Sequence, residues 1–211
     1  MSQISQKAAD LMQSWVQKNG LENDKALLDY AYALSQHYGQ AIGALSCQMY
    51  EATAAAQGVI VPTAEVADLP DYGEVAKAVK GTQKKSPNNI PGTIARLVKQ
   101  VGADTTLKNA ERDGAQFAWV SHGDTCAFCI TLASRGWQYM SKKAMRNGHA
   151  EHIHAHCDCE YAVRFDGKST VAGRSGGQPD HAACQGRFRH GIHHRQGDGT
   201  AKQGKHQHSS L

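Results

Sequence analysis

Four of the six cysteines in this 211-residue chain sit in two tight pairs, Cys126 with Cys129 and Cys157 with Cys159. His152, His154 and His156 stand just ahead of the second pair, and 27 residues separate Cys129 from Cys157. Two close-set pairs of soft ligands flanking one supersecondary unit suit a tetrahedral zinc site of thiolates, or of thiolates and one imidazole. Cys126 and Cys129, three apart, can converge on one ion from a turn that enters a helix. Cys157 and Cys159, two apart, face the same side of a regular strand. His154 precedes Cys157 by three, a spacing that suits a turn, so it competes for the fourth place. The expected ligands of a structural Zn2+ are therefore Cys126, Cys129 and Cys157, with one of His154 or Cys159. Because donors outnumber positions, the shell closes, and a closed shell cannot activate water.

Other chemistries fit these residues less well. Free buried thiols need no metal at all. A redox disulfide between Cys126 and Cys129 needs a thioredoxin-like strand before it, where this sequence has a long helical lead-in. His149-Ala-Glu151 matches the H-x-E element of zinc nucleobase deaminases, but here it follows the cysteine pair, which also lacks its leading proline. A zinc-containing nuclease with a histidine base from the 149–156 run, or a nucleic-acid-binding module, is the alternative function. Cys47 is read as a core thiol, and Cys184 as an unpaired exposed one.

The elements that must position the knuckle are mostly helical. Ile4, Ala8, Leu11, Met12, Trp15 and Val16 recur at helical spacing, and Gly20 ends that helix. Asn23 or Asp24 can cap a second helix whose stripe runs through Leu27, Leu28, Ala31, Leu34, Tyr38, Ala41, Ile42, Leu45 and Met49 to about Ala56. A bend is expected near Gly39 or Gly43, and the two helices should form a hairpin. Residues 58–70 break the pattern, a short helix covers 72–79, and 81–89 reads as a polar linker. Ile94, Leu97, Val98 and Val101 predict another helix and 107–117 a further one. Ala118, Trp119 and Val120 read as a short strand, 127–135 as a helix stopped by Gly136, and 137–140 and 157–165 as strands. In the last, Cys157, Cys159, Tyr161 and Val163 alternate with polar or small residues.

The charge is unevenly placed. Residues 1–165 carry 16 Lys/Arg and 16 Asp/Glu, so the whole excess of +4 lies in residues 166–211, with 7 basic and 3 acidic side chains. A neutral body argues against a nucleic-acid-binding surface there. No apolar run is long enough to span a membrane, and the first residues lack a signal-peptide pattern, so a reducing cytoplasm is expected, where paired cysteines favour metal. The tail holds 9 Gly and 6 His in 46 residues, with Val171, Phe188, Ile192 and Leu211 almost its only large apolar side chains. Such a segment buries too little to offset its ordering entropy and is expected to be disordered. Its histidines, 181, 190, 193, 194, 206 and 208, read as a solvated bias rather than a defined metal site.

The expected fold is α+β: a helical N-terminal region over 1–118, a small zinc-stapled αβ unit over 119–168, and a disordered Gly/His/Arg-rich tail over 169–211. The segment from His122 through Cys126, Cys129 and Gly136 to Tyr139, followed by His154, Cys157 and Cys159, resembles a bacteriophage minor capsid family. It is similar to capsid-associated proteins of actinobacterial phages, within the Mu F-like head-morphogenesis group. In that group a C-x-x-C precedes H-x-x-C-x-C, and His154, Cys157 and Cys159 fall on its positions. The resemblance covers about 1–170, with specific motifs in 119–168. It implies a non-catalytic virion component inside the head, assembled in the bacterial host cytoplasm, with capsid and portal proteins as partners. It also implies a part in head assembly, DNA packaging or ejection, with packaged DNA a further partner through the basic tail. The tail departs from the charged helical sequence of that family, as a degenerate or frame-shifted end would.

Overall fold

The first apolar stripe forms α1, Ser2–Asn19, which stops where Gly20 takes a left-handed conformation (φ 72°) and its N–H bonds to the Val16 carbonyl at 2.9 Å. The computed structural model describes residues 2–121, 127–139 and 159–165, all within the unit Met1–Ser175. Asn23 caps α2, Asp24–Ala56, its side-chain oxygen accepting from the Ala26 N–H at 3.1 Å. α3, Tyr72–Lys85, begins with a reciprocal capping box, in which Asp71 and Glu74 each satisfy the other's backbone N–H. A 3-10 turn, Pro87–Asn89, leads into α4, Ile90–Arg112.

Two expectations about these helices are corrected. α3 runs through the stretch expected to open a linker, because its polar residues find tertiary partners. The Thr82 and Thr93 hydroxyls meet at 2.7 Å, and the Gln83 amide donates to the Leu21 carbonyl at 3.3 Å. The two helices expected over 94–101 and 107–117 are one continuous helix ending at Arg112. Gly114, with φ 65°, makes the turn that sends Phe117 into a strand. The stripe on α2 also departs from expectation from Ala41, which is exposed, onward. Ser46, Tyr50 and Ala54 are buried, whereas Met49 is 45% exposed. A 3.6-residue helix drifts about 20° per heptad against a 3.5 repeat, so the inward face rotates along so long a helix.

α4 is the spine, contributing to every buried cluster. The largest joins Met12, Leu27, Ile42, Val75, Val79, Ile90, Ile94 and Val98 from all four helices. α1 packs on α4 as well as on α2, so the pair is part of a bundle rather than an isolated hairpin.

The expected break after α2 is an ordered strap over 59–70, crossing α2 and α4. Its backbone polar groups are satisfied by side chains instead of a β partner. Asn109 donates to the Glu65 carbonyl at 2.9 Å and accepts from the Glu65 N–H at 3.0 Å; the Thr105 hydroxyl accepts from the Ala67 N–H at 3.0 Å. Arg112 donates to the Thr63 and Pro62 carbonyls, and Glu51 accepts from the Ala64 N–H at 2.7 Å. Gly39 and Gly43, expected to mark a bend, serve instead as the floor of this crossing. A Cβ at Gly43 would collide with Val66, and one at Gly39 would crowd Leu69 and Val101 at 3.1 and 3.3 Å.

β1, Gln116–Val120, is the centre of a three-stranded sheet ordered β2-β1-β3, with both neighbours antiparallel. β2 is Gln138–Tyr139 and β3 is Glu160–Arg164; Trp119 pairs with Tyr161, and Phe117 with Gln138 on one side and Val163 on the other. β1 starts two residues before its expected beginning. A short α5, Ala127–Ala133, packs on β1. Among the described residues the chain is thus mostly helical with one small sheet.

Candidate metal centre

Cys129 lies in the middle of α5, where the Thr131 hydroxyl donates to the Ala127 carbonyl at 2.9 Å. The helix ends at a turn closed by Gly136, φ 66°, as its sequence predicts. Cys129 and Leu132 stand three apart, share the buried face, and are 1% and 4% exposed. Leu132 belongs to a cluster with Ala103 and Leu107 of α4 and Phe117 and Trp119 of β1. Cys159, immediately before β3, is half-buried and packs on that same cluster together with Tyr161. The strand expected over 157–165 begins only at Glu160; Cys157 lies outside the described residues, while Cys159 and Tyr161 pack with Leu132 of α5 and Val163 joins the next cluster with Tyr50, Ala110 and Ala115.

Tyr161, partly buried, packs against this small core. Its ring lies 4.4 Å from Trp119 and 5.6 Å, edge-on, from Phe117. Its hydroxyl oxygen is buried and has no hydrogen-bond partner among the described residues. Burial first, then the negative ends of Asp104, Cys159 and Cys129, push its ionisation well above the usual phenol range. The hydroxyl is a polar atom in an otherwise apolar cluster.

Of the five predicted ligands, Cys129 is buried on α5, and Cys159 packs on the cluster of Leu132, Phe117 and Trp119. Cys126, His154 and Cys157 lie outside the described residues, as do His149, Glu151, Cys184 and the tail. Among the described residues alone no group of three potential ligands gathers. The chemistry of what is seen suits a thiolate site in having two soft donors, one buried and one half-buried. In sequence, Cys126 is the residue before α5 and Cys157 stands two before Cys159. Cys47 is half-buried rather than a core residue; burial and the neighbouring Glu51 carboxylate raise its thiol pKa.

This unit is tied to the helical body by polar contacts that the sequence did not announce. Gln57, just beyond α2, donates to the Val163 carbonyl at 3.1 Å and accepts from the Phe165 N–H at 2.8 Å, acting as one more strand residue beside β3. Arg164 donates to Gln116 at 2.7 Å and stacks over Trp137 at 4.6 Å. Below, the Tyr50 hydroxyl lies 2.8 Å from the Asp113 carboxylate, which Arg112 grips through two nitrogens at 2.7 and 2.9 Å. Arg112, then Tyr50, hold the Asp113 carboxyl below the ordinary carboxylate range against the opposing effect of burial. Tyr161 could have been found from the strand alternation, which puts it in register with the cysteines. Gln57 and Asn109 carry no such signal.

Among the described residues no helix is long and apolar enough to cross a membrane. Neither a curated protein nor a solved structure matches the chain. A family model described as VG15 protein matches residues 1–185, a span that takes in the helical body, the sheet and both cysteine pairs. The chain therefore belongs to the VG15 protein family, a family of phage proteins.

Proposed function

We propose that this protein is a minor capsid protein of a phage, acting in head morphogenesis without catalysis, with its cysteine knuckle closed on a structural zinc ion. The carrying observation is the knuckle pattern of Cys126, Cys129, His154, Cys157 and Cys159 in a chain of a phage family, with Cys129 buried on α5 and Cys159 packed on the cluster that holds Leu132 of the same helix. An ion shared between them would staple α5 to the edge of the sheet. Structural zinc contributes on the order of 10 kcal/mol to folding in finger-sized units, enough to decide whether so small a core forms. Cys126, Cys129 and Cys157 would hold it with one of His154 or Cys159. The place of action is the inside of the virion head, against capsid and portal proteins, with the basic tail available to packaged DNA.

Mass spectrometry of purified virions and of DNA-filled heads tests the assignment. Peptides of this chain are expected in both, at low copy number relative to the major capsid protein; particles free of the chain would refute it. Emission spectrometry of the natively purified chain is expected to find one zinc per molecule. Chelation should then abolish protection of the sheet amides while leaving most of the helical signal. A chain purified without metal removes the zinc part of the proposal.

A further inference from the structure

We infer that α3 is a seat for the phosphate backbone of a nucleic-acid duplex, built from Lys77, Lys84 and Lys85 around Gly81. The seat goes beyond the reading above and uses neither the zinc ion nor the basic tail. The neutrality of residues 1–165 is a sum, and the fold separates its parts. Residues 75–103 carry Lys77, Lys80, Lys84, Lys85, Arg96 and Lys99 with no Asp or Glu, while the rest of 1–165 carries 10 basic and 16 acidic side chains. Lys80 is paired with Asp24 at 3.7 Å, and Arg96 donates to Gln100 at 3.3 Å. Lys77, Lys84 and Lys85 are exposed and, among the described residues, form no ion pair. With Gly81 they fall at i, i+4, i+7 and i+8, and so share one face of α3. The row is about 12 Å long, or roughly three to four base-pair steps of a duplex. Helix C-termini favour cations, which accounts for Lys84 and Lys85 in the last turn of α3 but not for Lys77, two turns earlier.

Gly81 points the same way independently. A glycine inside a helix lowers its stability, and at Gly39 and Gly43 the crossing strap explains it. Around Gly81 nothing lies within 4 Å of where a Cβ would stand. It borders a groove of about 770 Å³ between α3, α4 and the strap, with Lys77 and Lys85 on the same wall and Arg96 contributed by α4. Bare backbone at such a place suits the close approach of a ligand. The groove's chemistry selects which ligand. Leu97 and Val101 on its floor are only 6% and 2% exposed, so an amphipathic helix would find little apolar surface to cover. Among the described residues no aromatic side chain lines it, so the bases of a single strand have nothing there to stack on. Asp68, Glu74 and Asp104 line the strap end. Glu74 is bonded to the Asp71 N–H at 2.9 Å and lies about 16 Å along α3 from Lys85. These carboxylates repel an anion from the strap end and leave it the end nearest the turn into α4.

The test titrates the full chain against labelled DNA and RNA duplexes over a range of salt, and the tighter of the two names the natural partner. Each phosphate contact adds about 0.9 to the logarithmic slope with which affinity falls as salt rises. Lys77→Gln/Lys84→Gln/Lys85→Gln should flatten that slope by about 2.7, so the parent should lose roughly 40-fold more affinity than the variant from about 50 to 200 mM salt. Lys7→Gln/Lys18→Gln/Lys25→Gln lowers the net charge equally on α1 and α2, and should leave the slope nearly as steep as in the parent. Gly81→Leu keeps every charge; it should melt about 2–4 °C higher through helix propensity and still bind duplex more weakly. A parent that binds no duplex, an unflattened slope in the α3 triple variant, or an equal flattening in the α1/α2 variant overturns the seat. So does Gly81→Leu binding as the parent does. Polyglutamate displacing the duplex charge for charge assigns the face to an acidic protein segment and overturns it too. Zinc content and virion peptides are measured separately, so the seat and the capsid reading fail independently.

Discussion

Asn109→Ala should free the strap over 59–70 from the helical body. The Asn109 side chain is buried at 1% exposure and makes three hydrogen bonds. Two of them hold the Glu65 N–H and C=O, and the third, at 2.7 Å, returns to the Thr105 carbonyl one turn back on α4. That third acceptor also belongs to the helical ladder, so its loss costs little. The Glu65 groups have no β partner to fall back on. If water reaches them, each bond is worth about 1 kcal/mol net, so the loss is about 2 kcal/mol; if the strap stays seated and dry, it approaches about 4 kcal/mol. Urea denaturation of the two chains measures the total. Hydrogen exchange at Ala64, Glu65 and Ala67 distinguishes the cases, because a peeled strap exchanges quickly while the helices stay protected. Asn109→Asp should be at least as damaging, since a carboxylate accepts from the Glu65 N–H but repels two carbonyl oxygens. A loss below about 0.5 kcal/mol with unchanged strap exchange would show that apolar contacts of Val66 and Leu69 hold the strap by themselves, contrary to the hydrogen-bond account.

Gly43→Ala gains about 1 kcal/mol of helix propensity but drives a methyl into Val66, and overpacking of this kind costs about 1–3 kcal/mol. A net loss is expected in thermal melts, and Val66→Ala in the same chain should restore it; Gly81→Ala, with nothing near its Cβ, should stabilise by up to about 1 kcal/mol. Gln57→Ala removes two bonds to β3 and should cost about 2 kcal/mol of sheet protection, read as faster exchange at Phe165, with the helical core unchanged. Asp113 has its carboxyl pKa lowered from the ordinary 3.8, so its stabilising contribution is complete above about pH 4 and disappears as pH falls through the depressed native value. Acid titration of stability should therefore steepen below pH 3.8 in the parent and flatten in Asp113→Asn. Tyr50 runs the other way, its pKa being raised, so its share is present below 10.0 and lost at higher pH.

Much of the helical body is legible along the chain because its signals are local. The period of Ala8, Met12 and Leu27, the Asn23 cap and the stops at Gly20 and Gly136 each depend on neighbours within a turn or two. The alternation through Cys159, Tyr161 and Val163 predicted a shared strand face for the same reason, and the spacing of the cysteines made the metal reading possible. What a local pattern does not carry is the partner across space. Residues 81–85 look like a linker until Thr82 meets Thr93, and residues 59–70 look like a loop until Asn109, Thr105 and Arg112 supply the hydrogen bonds that a second strand would otherwise provide. Gly39 and Gly43 read as weak points in a helix, whereas the packing makes them the surface on which the strap lies. Only the tertiary structure decided that α4 is a single spine and that Gln57 completes the edge of β3. Side-chain hydrogen bonds at separations of 38 to 108 residues leave no period in a sequence, because nothing repeats; each is settled by where two elements cross.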